Sequence, residues 1–236
     1  IERKKLLGVG VSLPGILDGN YTELVRSHAL KIRNLNLDLI RNSFSYPVEF
    51  ENDANSALLS ELRGDLKNAV YLSLSNTVGG ALCIDGRLYM GDNSRAGEIG
   101  HMIIEKDGRK CYCGKKGCID AYCAAHILSS ETNDNLNLFF ERLNAGDSRL
   151  KKIWNEYLEY LVIAITNLRM FYDCDIILGG YVGANLDKYL HVLLQKTKDY
   201  NLFDNQVSYI KTCKSKTEAS ALGIAISFLK KYLLNL

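Results

Sequence analysis

The stretch from Gly97 to Asp120 constrains this chain more than any other, because it concentrates one histidine and three cysteines in a short, glycine-rich segment: His101, Cys111, Cys113 and Cys118. One imidazole and three thiolates are a standard ligand set for tetrahedral structural zinc, and four protein ligands leave no open position for catalysis. Glycines between the ligands permit the left-handed turns that wrapping an ion requires. The sequence therefore predicts a zinc site that contributes folding energy rather than chemistry.

Two other interpretations of these cysteines stay open: a disulfide, or loop cysteines without a special function. Disulfide frameworks are typical of small secreted chains that lack a core, whereas this chain has 236 residues, 47% of them hydrophobic. Ligand type and spacing favour zinc. The remaining cysteines lie among apolar neighbours and are interpreted as small buried side chains: Cys83, Cys123, Cys174 and Cys213.

The bulk composition argues against several functional classes. The formal net charge is +2, which does not indicate nucleic-acid binding by this chain itself. No run of about 18 uncharged apolar residues occurs, so we expect no transmembrane helix and no membrane partner. The N-terminus does not resemble a signal peptide, and with reduced thiols this predicts a cytoplasmic protein. Because the first residue is Ile, we expect the chain to be part of a longer protein.

Alternating strand and helix patterns predict an α/β architecture. Apolar runs and alternation predict strands over residues 6–13, 48–51, 70–74, 80–84, 175–178 and 207–212. Helical spacing and end signals predict helices over residues 37–43, 54–63, 120–129, 135–144, 148–172, 184–196 and 217–232. The segment between residues 14 and 36 has no clear pattern. The pattern alone predicts a domain boundary near Lys67.

Two motifs in the central stretch resemble the signature of a known family. Residues 97–101 read Gly-Glu-Ile-Gly-His, and residues 111–120 read Cys-x-Cys-Gly-x-x-Gly-Cys-x-Asp. This pattern is similar to that of the ROK family, the sugar kinases and NagC/XylR-type sugar-responsive repressors that share an actin-like (ribonuclease H-like) two-domain ATPase fold. The resemblance implies an incomplete first domain over residues 1–67, to which a helix over residues 217–236 returns. It also implies a second domain over residues 68–216, with the zinc loop and a dimerisation surface.

The segment Glu51-Asn52-Asp53-Ala54-Asn55 resembles the family segment whose Asn and Asp hold the sugar. The likeness implies that Asn52 and Asp53 bind sugar and that Asp53 is the catalytic base if the protein is a kinase. A carboxylate in that role would remove a proton from a sugar hydroxyl during phosphoryl transfer. The position between a strand and a helix suits a ligand site in an α/β sheet. From local sequence alone, simple capping of the helix by either residue is the favoured alternative.

The motif around the predicted metal ligands carries further implied sugar contacts. By family likeness Glu98 binds sugar hydroxyls, and His101 uses one ring nitrogen for zinc and the other for the sugar. The alternative for Glu98 is a solvated loop carboxylate. Asp120 stands where the family pattern usually has Glu, which withdraws its carboxylate by one methylene, so its sugar contact is expected through water.

The nucleotide side of the chain departs from the family pattern. ROK kinases carry a glycine-rich phosphate loop where this chain reads Ser75-Asn76-Thr77-Val78-Gly79-Gly80-Ala81. Side chains in such a loop obstruct the approach of backbone N–H groups to phosphate, although drift in a tolerant turn is an alternative. The Asp-Gly-Gly-Thr turn of the family has no counterpart in this sequence. The resemblance thus implies a degenerate nucleotide site: Thr77, Gly79, Gly80 and Gly180.

These observations predict the sugar-sensing, effector-binding domain of a ROK-family transcriptional regulator. In this interpretation the effector is a monosaccharide or sugar phosphate, the assembly is a homodimer or homotetramer, and an absent winged helix-turn-helix binds operator DNA. The alternative is an ATP-dependent hexose or N-acetylhexosamine kinase that uses Mg-ATP, with Asp53 as base. A third interpretation is a zinc-stabilised domain that only mediates dimerisation.

Overall fold

Strands and helices alternate along the chain as predicted. The computed structural model describes residues 6–62, 66–203 and 206–234. The strands of these residues form three sheets. The strands are β1 Val9–Leu13, β2 Ile16–Leu17, β3 Glu23–Ser27, β4 Ile32–Asn36, β5 Val48–Asn52, β6 Ala69–Leu74, β7 Val78–Ile84, β8 Arg87–Leu88, β9 Asp175–Gly179 and β10 Ile210–Thr212. The α-helices are α1 Asp38–Arg41, α2 Asp53–Glu61, α3 Asp120–Cys123, α4 Ala125–Ser129, α5 Leu136–Asn144, α6 Ser148–Tyr172, α7 Gly180–Gly183, α8 Leu190–Lys198 and α9 Ala219–Leu234.

The largest sheet has the strand order β10-β9-β6-β7-β8, with β6, β9 and β10 parallel and β6, β7 and β8 antiparallel. Successive residues of a strand point to opposite faces. Val70 and Leu72 of β6 therefore join one hydrophobic cluster with α6, whereas Ala69 and Tyr71 join another with α2. Because helices cover both faces, β6 is apolar along most of its length.

The two parallel strands β1 and β5 bring the polar segment to a sheet edge. They pair in register from Val9 and Val48 to Leu13 and Asn52, so both carboxyl ends lie side by side. The chain then enters α2 directly at Asp53. Ligand sites in α/β sheets lie at this kind of edge.

The segment without a clear pattern, residues 14–36, contains three antiparallel strands, β2, β3 and β4. Leu17 and Leu24 are buried there against Leu37. Polar and apolar residues are mixed at the exposed positions of these short strands, and β2 has only two residues. These strands are stabilised by pairing with one another across the sheet. A short stretch of sequence does not reveal that pairing, so the strands were not predicted.

Several predicted boundaries were wrong. The predicted helix over residues 120–129 is divided into α3 and α4, because Ala124 between them is extended, with ψ of 148°. The predicted helix over residues 184–196 begins only at Leu190, after a 3₁₀ turn at Leu186–Tyr189. The strand predicted over residues 207–212 is limited to β10. The predicted end of α2 at Arg63 lies outside the described residues, as do residues 1–5, 204–205 and 235–236.

The C-terminal helix α9 lies against β1 and α2. Gly8, just before β1, and Gly10, within it, make room for Phe228 and Ile224, since a Cβ at either glycine would lie within 3 Å of those side chains. The domain boundary near Lys67 stays a prediction. Within the part of the chain that the structure describes, no helix has both the length and the apolar character needed to cross a membrane.

Gly223 sets the distance between α9 and α2, and replacing it by alanine is expected to lower the free energy of unfolding by about 2 kcal/mol. A Cβ at this position would lie 1.6 Å from the carbonyl oxygen of Ser56, so the helices would have to separate. Urea denaturation measures the change. Ala225→Gly, on the exposed side of α9, is the control and should cost about 1 kcal/mol through helix propensity alone. A Gly223→Ala protein as stable as the wild type would contradict the close helix contact.

Candidate functional site

The carboxyl ends of β1 and β5 face a cavity of about 300 Å³. Four of the predicted sugar-binding residues line it together: Asn52, Asp53, Glu98 and His101. Asn52 and Asp53 lie at the sheet edge, where β5 leads into α2. Glu98 directly precedes the 3₁₀ turn Ile99–His101, and His101 ends it. A cavity of this size with a few convergent polar groups is typical of a small-molecule site.

Asn52 has the capping role that the local sequence favoured. Its side-chain oxygen accepts hydrogen bonds from the backbone N–H groups of Ala54 and Asn55, at 2.9 and 3.0 Å. Its amide nitrogen donates to the carbonyl oxygen of Gly15 at 2.9 Å. Asn52 thus joins the start of α2 to the turn after β1 while still lining the cavity.

Behind the cavity, Glu51 holds the same segment in place. One of its carboxylate oxygens accepts from the side-chain amide of Asn55 at 3.0 Å, and the other accepts from the hydroxyl of Tyr21 at 3.1 Å. Glu51 is 7% exposed. Its carboxylate is therefore committed to internal partners, and it orients the segment that carries Asp53.

Two carboxylates line the cavity, and the pKa of each is raised. Burial raises the pKa of Asp53, against the opposing effect of the hydrogen bond that its carboxylate accepts from the backbone N–H of Ala54. Burial also raises the pKa of Glu98, and the negative charge of Asp53 raises it further. The positive charge of Arg95 acts in the opposite direction and lowers this pKa. Hydroxyl groups of a polyol could donate hydrogen bonds to both carboxylates and so offset their desolvation.

The four predicted metal ligands lie together in the loop between β8 and α3. Their ligand atoms all lie within 4.8 Å of one another. The Sγ atoms of Cys113 and Cys118 are 3.8 Å apart, and Cys111 Sγ lies 3.7 Å from Nδ1 of His101. Zinc–sulfur bonds of about 2.3 Å in a tetrahedron place two sulfurs about 3.8 Å apart. The spacing fits a tetrahedral metal site, and all seven cysteines are free thiols.

The protonation chemistry suits metal binding at two of the four groups, His101 and Cys113. Burial raises the pKa of the other two thiols, Cys111 and Cys118, which metal binding would have to deprotonate. Burial, followed by the charge of Lys115, lowers the pKa of His101 and so favours the neutral imidazole that ligates metals. The pKa of Cys113 is lowered despite burial, because its sulfur accepts hydrogen bonds from the Lys115 backbone and from neighbouring thiols. Since Nδ1 of His101 faces the sulfurs, Nε2 is directed toward other groups. These are the hydroxyl of Tyr112 at 3.3 Å and a Glu98 oxygen at 3.8 Å.

Asp120 lies in a different place from the other predicted sugar contacts. It is 1% exposed and does not belong to the cavity lining. Its carboxylate accepts a hydrogen bond from the backbone N–H of Val78 at 2.6 Å. Ala125 N–H donates to the Ser75 carbonyl at 2.7 Å, and the ring of His126 lies 3.1 Å from the Asn76 carbonyl. Asp120 therefore helps to hold the loop between β6 and β7, and a sugar contact through it stays a prediction.

The predicted nucleotide residues are divided between two cavities. Thr77 and Gly180 line a second, adjacent cavity of about 200 Å³, and Thr77 and Asp53 are among the residues that line both cavities. Gly79 and Gly80 lie inside β7, paired with β6, and line the first cavity. Gly180 has a φ of 74°, and a Cβ there would lie 2.6 Å from Ser75 Oγ, so α7 begins tightly against the end of β6.

Among the cavity-lining residues that the sequence interpretation missed are two with aromatic rings, His28 and Tyr112. His28 belongs to the loop between β3 and β4, in the segment that had no pattern, so only the strand pairing brings it to the cavity. Tyr112 stands between two predicted metal ligands, and that position was the available signal.

Comparison with known proteins shows the family and the fold of the chain. The model of the family described as ROK matches residues 2–231. The xylose repressor of Bacillus spizizenii is 35% identical over 128 residues, which cover 52% of this chain and 33% of the repressor. An N-acetylmannosamine kinase of Vibrio cholerae is 32% identical over 148 residues, which cover 58% of this chain and 51% of the kinase. The chain thus spans about half or less of the length of these relatives.

Among solved structures, a ROK family glucokinase from Streptomyces griseus in complex with glucose and AMPPNP superposes with a TM-score of 0.81. The identity is 20%, and the match covers 94% of this chain and 81% of the glucokinase chain. The predicted α/β, actin-like fold is confirmed by this similarity. The curated relatives are divided between xylose repressors and sugar kinases, whereas most of the similar solved structures are kinases.

Proposed function

Because the chain belongs to the ROK family, we propose that it is the sugar-sensing, effector-binding domain of a ROK-type transcriptional regulator. A monosaccharide or sugar phosphate is the effector, and operator DNA is bound by a winged helix-turn-helix outside this chain. The regulator acts as a homodimer or homotetramer. Sugar binding would shift the assembly between states of different operator affinity, for which a differential free energy of about 1–3 kcal/mol suffices.

The observation that carries this proposal is the convergence of Asp53, Glu98 and His101 on one cavity of about 300 Å³. The two carboxylates accept hydrogen bonds from sugar hydroxyls, and Nε2 of His101 provides a third polar group. Asn52 orients the start of α2 through its cap. The apolar side of the lining, such as Leu17 and Met90, suits the C–H face of a sugar ring.

Zinc is proposed as the structural metal of the loop, held by His101, Cys111, Cys113 and Cys118. The ligand spacing fits the ion, and the metal would supply folding energy and fix the tautomer of the histidine. With Nδ1 on the metal, His101 must present Nε2 to the cavity. The metal would thus act on sugar recognition only through this one ring.

The loop between β6 and β7 supports a regulator rather than a kinase. Ser75 and Thr77 carry side chains where the loop of family kinases has glycines, and Asn76 stands in place of its threonine. The N–H of Val78 is already used by Asp120. Backbone N–H groups that are engaged or screened by side chains do not cradle a phosphate closely.

The kinase alternative is favoured by the second cavity, of about 200 Å³, which shares Asp53 with the first. A carboxylate with a raised pKa between a sugar and a phosphoryl donor is positioned as a general base. In that case Mg-ATP would occupy the cavity beside Thr77 and Gly180.

One pair of measurements separates the two functions. We expect a cognate sugar among xylose, glucose and N-acetylmannosamine to raise the Tm of the zinc-loaded protein by several degrees at about 100 times its Kd, since ligand binding then adds about 2.7 kcal/mol. Mg-ATP alone should leave Tm unchanged. In a coupled assay with each sugar, no ADP should form above the blank rate. Turnover with any of these sugars would instead establish the kinase.

A further inference from the structure

Tyr112 lies at the rim of the first cavity, in a cluster of three rings with His28 and His101, whose own centroids are 6.4 Å apart. Its ring centroid is 4.8 Å from that of His28 and 5.2 Å from that of His101. All three side chains line the cavity. Tyr112 nevertheless remains 45% exposed, which distinguishes it from a core residue. Its side chain therefore covers the cavity from the solvent side.

The hydroxyl of Tyr112 occupies the one hydrogen-bonding position of His101 that a ligand could use. Nδ1 of His101 faces Cys111 Sγ at 3.7 Å, and Nε2 lies 3.3 Å from the Tyr112 hydroxyl. A distance of 3.3 Å between nitrogen and oxygen is at the long, weak end of the range for hydrogen bonds. The phenol thus makes a replaceable contact at a site that matches the chemistry of a sugar hydroxyl.

We propose that Tyr112 is a displaceable cap and a specificity-determining residue of the sugar site. This inference rests on the sugar-binding function proposed for the cavity. A ligand reaches Nε2 only by removing the phenol, and the lost contact is restored only if the ligand places its own hydroxyl there. Sugars without a hydroxyl at that position leave Nε2 without a partner, and burial of an unpaired polar group is unfavourable. The cap thereby selects for one hydroxyl of the effector.

His28 provides the second side of the cap. It belongs to the loop between β3 and β4, whereas Tyr112 belongs to the metal-binding loop, so their contact joins two segments that are distant in sequence. The two rings are tilted by 54°, without a hydrogen bond between them among the described contacts. Such a contact holds the phenol in place in the empty site and yields when a ligand enters.

The test is Tyr112→Phe in the zinc-loaded protein, titrated calorimetrically with xylose, glucose and N-acetylmannosamine in turn. Phenylalanine keeps the ring against both histidines but removes the hydroxyl that competes for Nε2. A sugar that binds the wild type should bind the variant about threefold to tenfold more tightly, the factor that corresponds to one net hydrogen bond. Tyr160→Phe is the control, because Tyr160 stacks on Tyr122 away from the cavity, and its affinity should equal that of the wild type.

A set of deoxy sugars and one further variant, Asp53→Asn, make the outcomes decisive. One of the 2-, 3- and 4-deoxy derivatives of the bound sugar should bind the wild type more weakly than the parent sugar does. For that derivative, Tyr112→Phe should raise the affinity little or not at all, whereas it raises the affinity for the parent sugar. An affinity of Tyr112→Phe equal to or below that of the wild type would overturn the cap, provided that Asp53→Asn weakens binding and so establishes the cavity as the sugar site. Absence of binding to the wild type, Tyr112→Phe and Asp53→Asn alike would overturn the proposed function itself.

Discussion

Replacing Cys113 by serine is expected to abolish stoichiometric zinc binding and to lower the free energy of unfolding by more than about 4 kcal/mol. Between β8 and α3 the structure describes no helix or extended strand besides the 3₁₀ turn Ile99–His101, and turn-type backbone hydrogen bonds, such as that from Cys111 N–H to the Lys115 carbonyl at 2.9 Å, hold the segment without a continuous ladder. Four metal bonds would replace the missing secondary structure. Zinc content by mass spectrometry and Tm by calorimetry measure the two effects.

The same substitution should also weaken sugar binding, because His101 lies in both the metal cluster and the cavity. Removal of zinc by a chelator should have the same effect on binding without a mutation. Cys174→Ser provides the matched control, since Cys174 is a half-buried thiol outside the cluster. It should retain one zinc ion per chain. Full zinc occupancy and unchanged stability in Cys113→Ser would contradict the ligand assignment.

Replacing Asp53 by asparagine is expected to weaken sugar binding by about 10- to 100-fold, the range for loss of hydrogen bonds to a charged group. The carboxylate lines the cavity, and the hydrogen bonds described for it come from the backbone N–H groups of Ala54 and of Asp53 itself. Its remaining acceptor positions are thus available to a ligand. Calorimetric titration with the cognate sugar measures the loss.

The same substitution should make the empty protein more stable at neutral pH. Burial raises the folded pKa of Asp53 above 3.8, so the folded state binds more protons than the unfolded state in the interval between the two values. The contribution of Asp53 to stability is therefore complete below pH 3.8 and is lost as pH rises through the folded pKa. Asparagine carries no charge at any pH, and the Tm of Asp53→Asn should lack this decline.

Asp134→Asn is the matched control for charge, because Asp134 is exposed and outside both cavities. It should leave both the affinity and the pH dependence of stability unchanged. If Asp53→Asn bound sugar as the wild type does and was no more stable at neutral pH, the carboxylate would be a helix-start residue without a role in recognition.

The opposite effects expected for Asp53→Asn on stability and on binding follow from one cause. A carboxylate that is desolvated beside a second carboxylate, Glu98, costs free energy in the empty protein. A bound ligand would offset this cost by hydrogen bonding to the carboxylate. Functional sites commonly keep such destabilising groups because binding requires them. Sugar binding should accordingly raise Tm more in the wild type than in the variant.

The loop that carries the His101, Cys111, Cys113 and Cys118 cluster illustrates what the residue order was sufficient to predict. Ligand type and short spacing act within one segment, so His101 and the three cysteines could be recognised together before any fold was known. The long helix α6 was likewise predicted with its full bounds, because its apolar stripe persists over many turns. Both signals are local in the chain.

The sequence alone did not predict which polar side chains cap a helix and which line the cavities. Asn52 and Asp53 are neighbours of similar character, yet one caps α2 and the other lines both cavities. Asp120 was grouped with the sugar contacts by its motif, and the fold places its carboxylate on the backbone of Val78. The direction of each side chain depends on strand register and on the turn that follows, and neither is encoded in residue type.

The chemistry of the site, a Cys/His metal loop beside a polar strand end, was thus apparent from residue types and spacing, since those interactions span few residues. The cavity itself and its cap were not, because His28 reaches Tyr112 only through the pairing of β2, β3 and β4. Those strands are short and mixed in polarity, and they are held by partners far away in the sequence. Contacts of that kind come into existence only when the chain has folded.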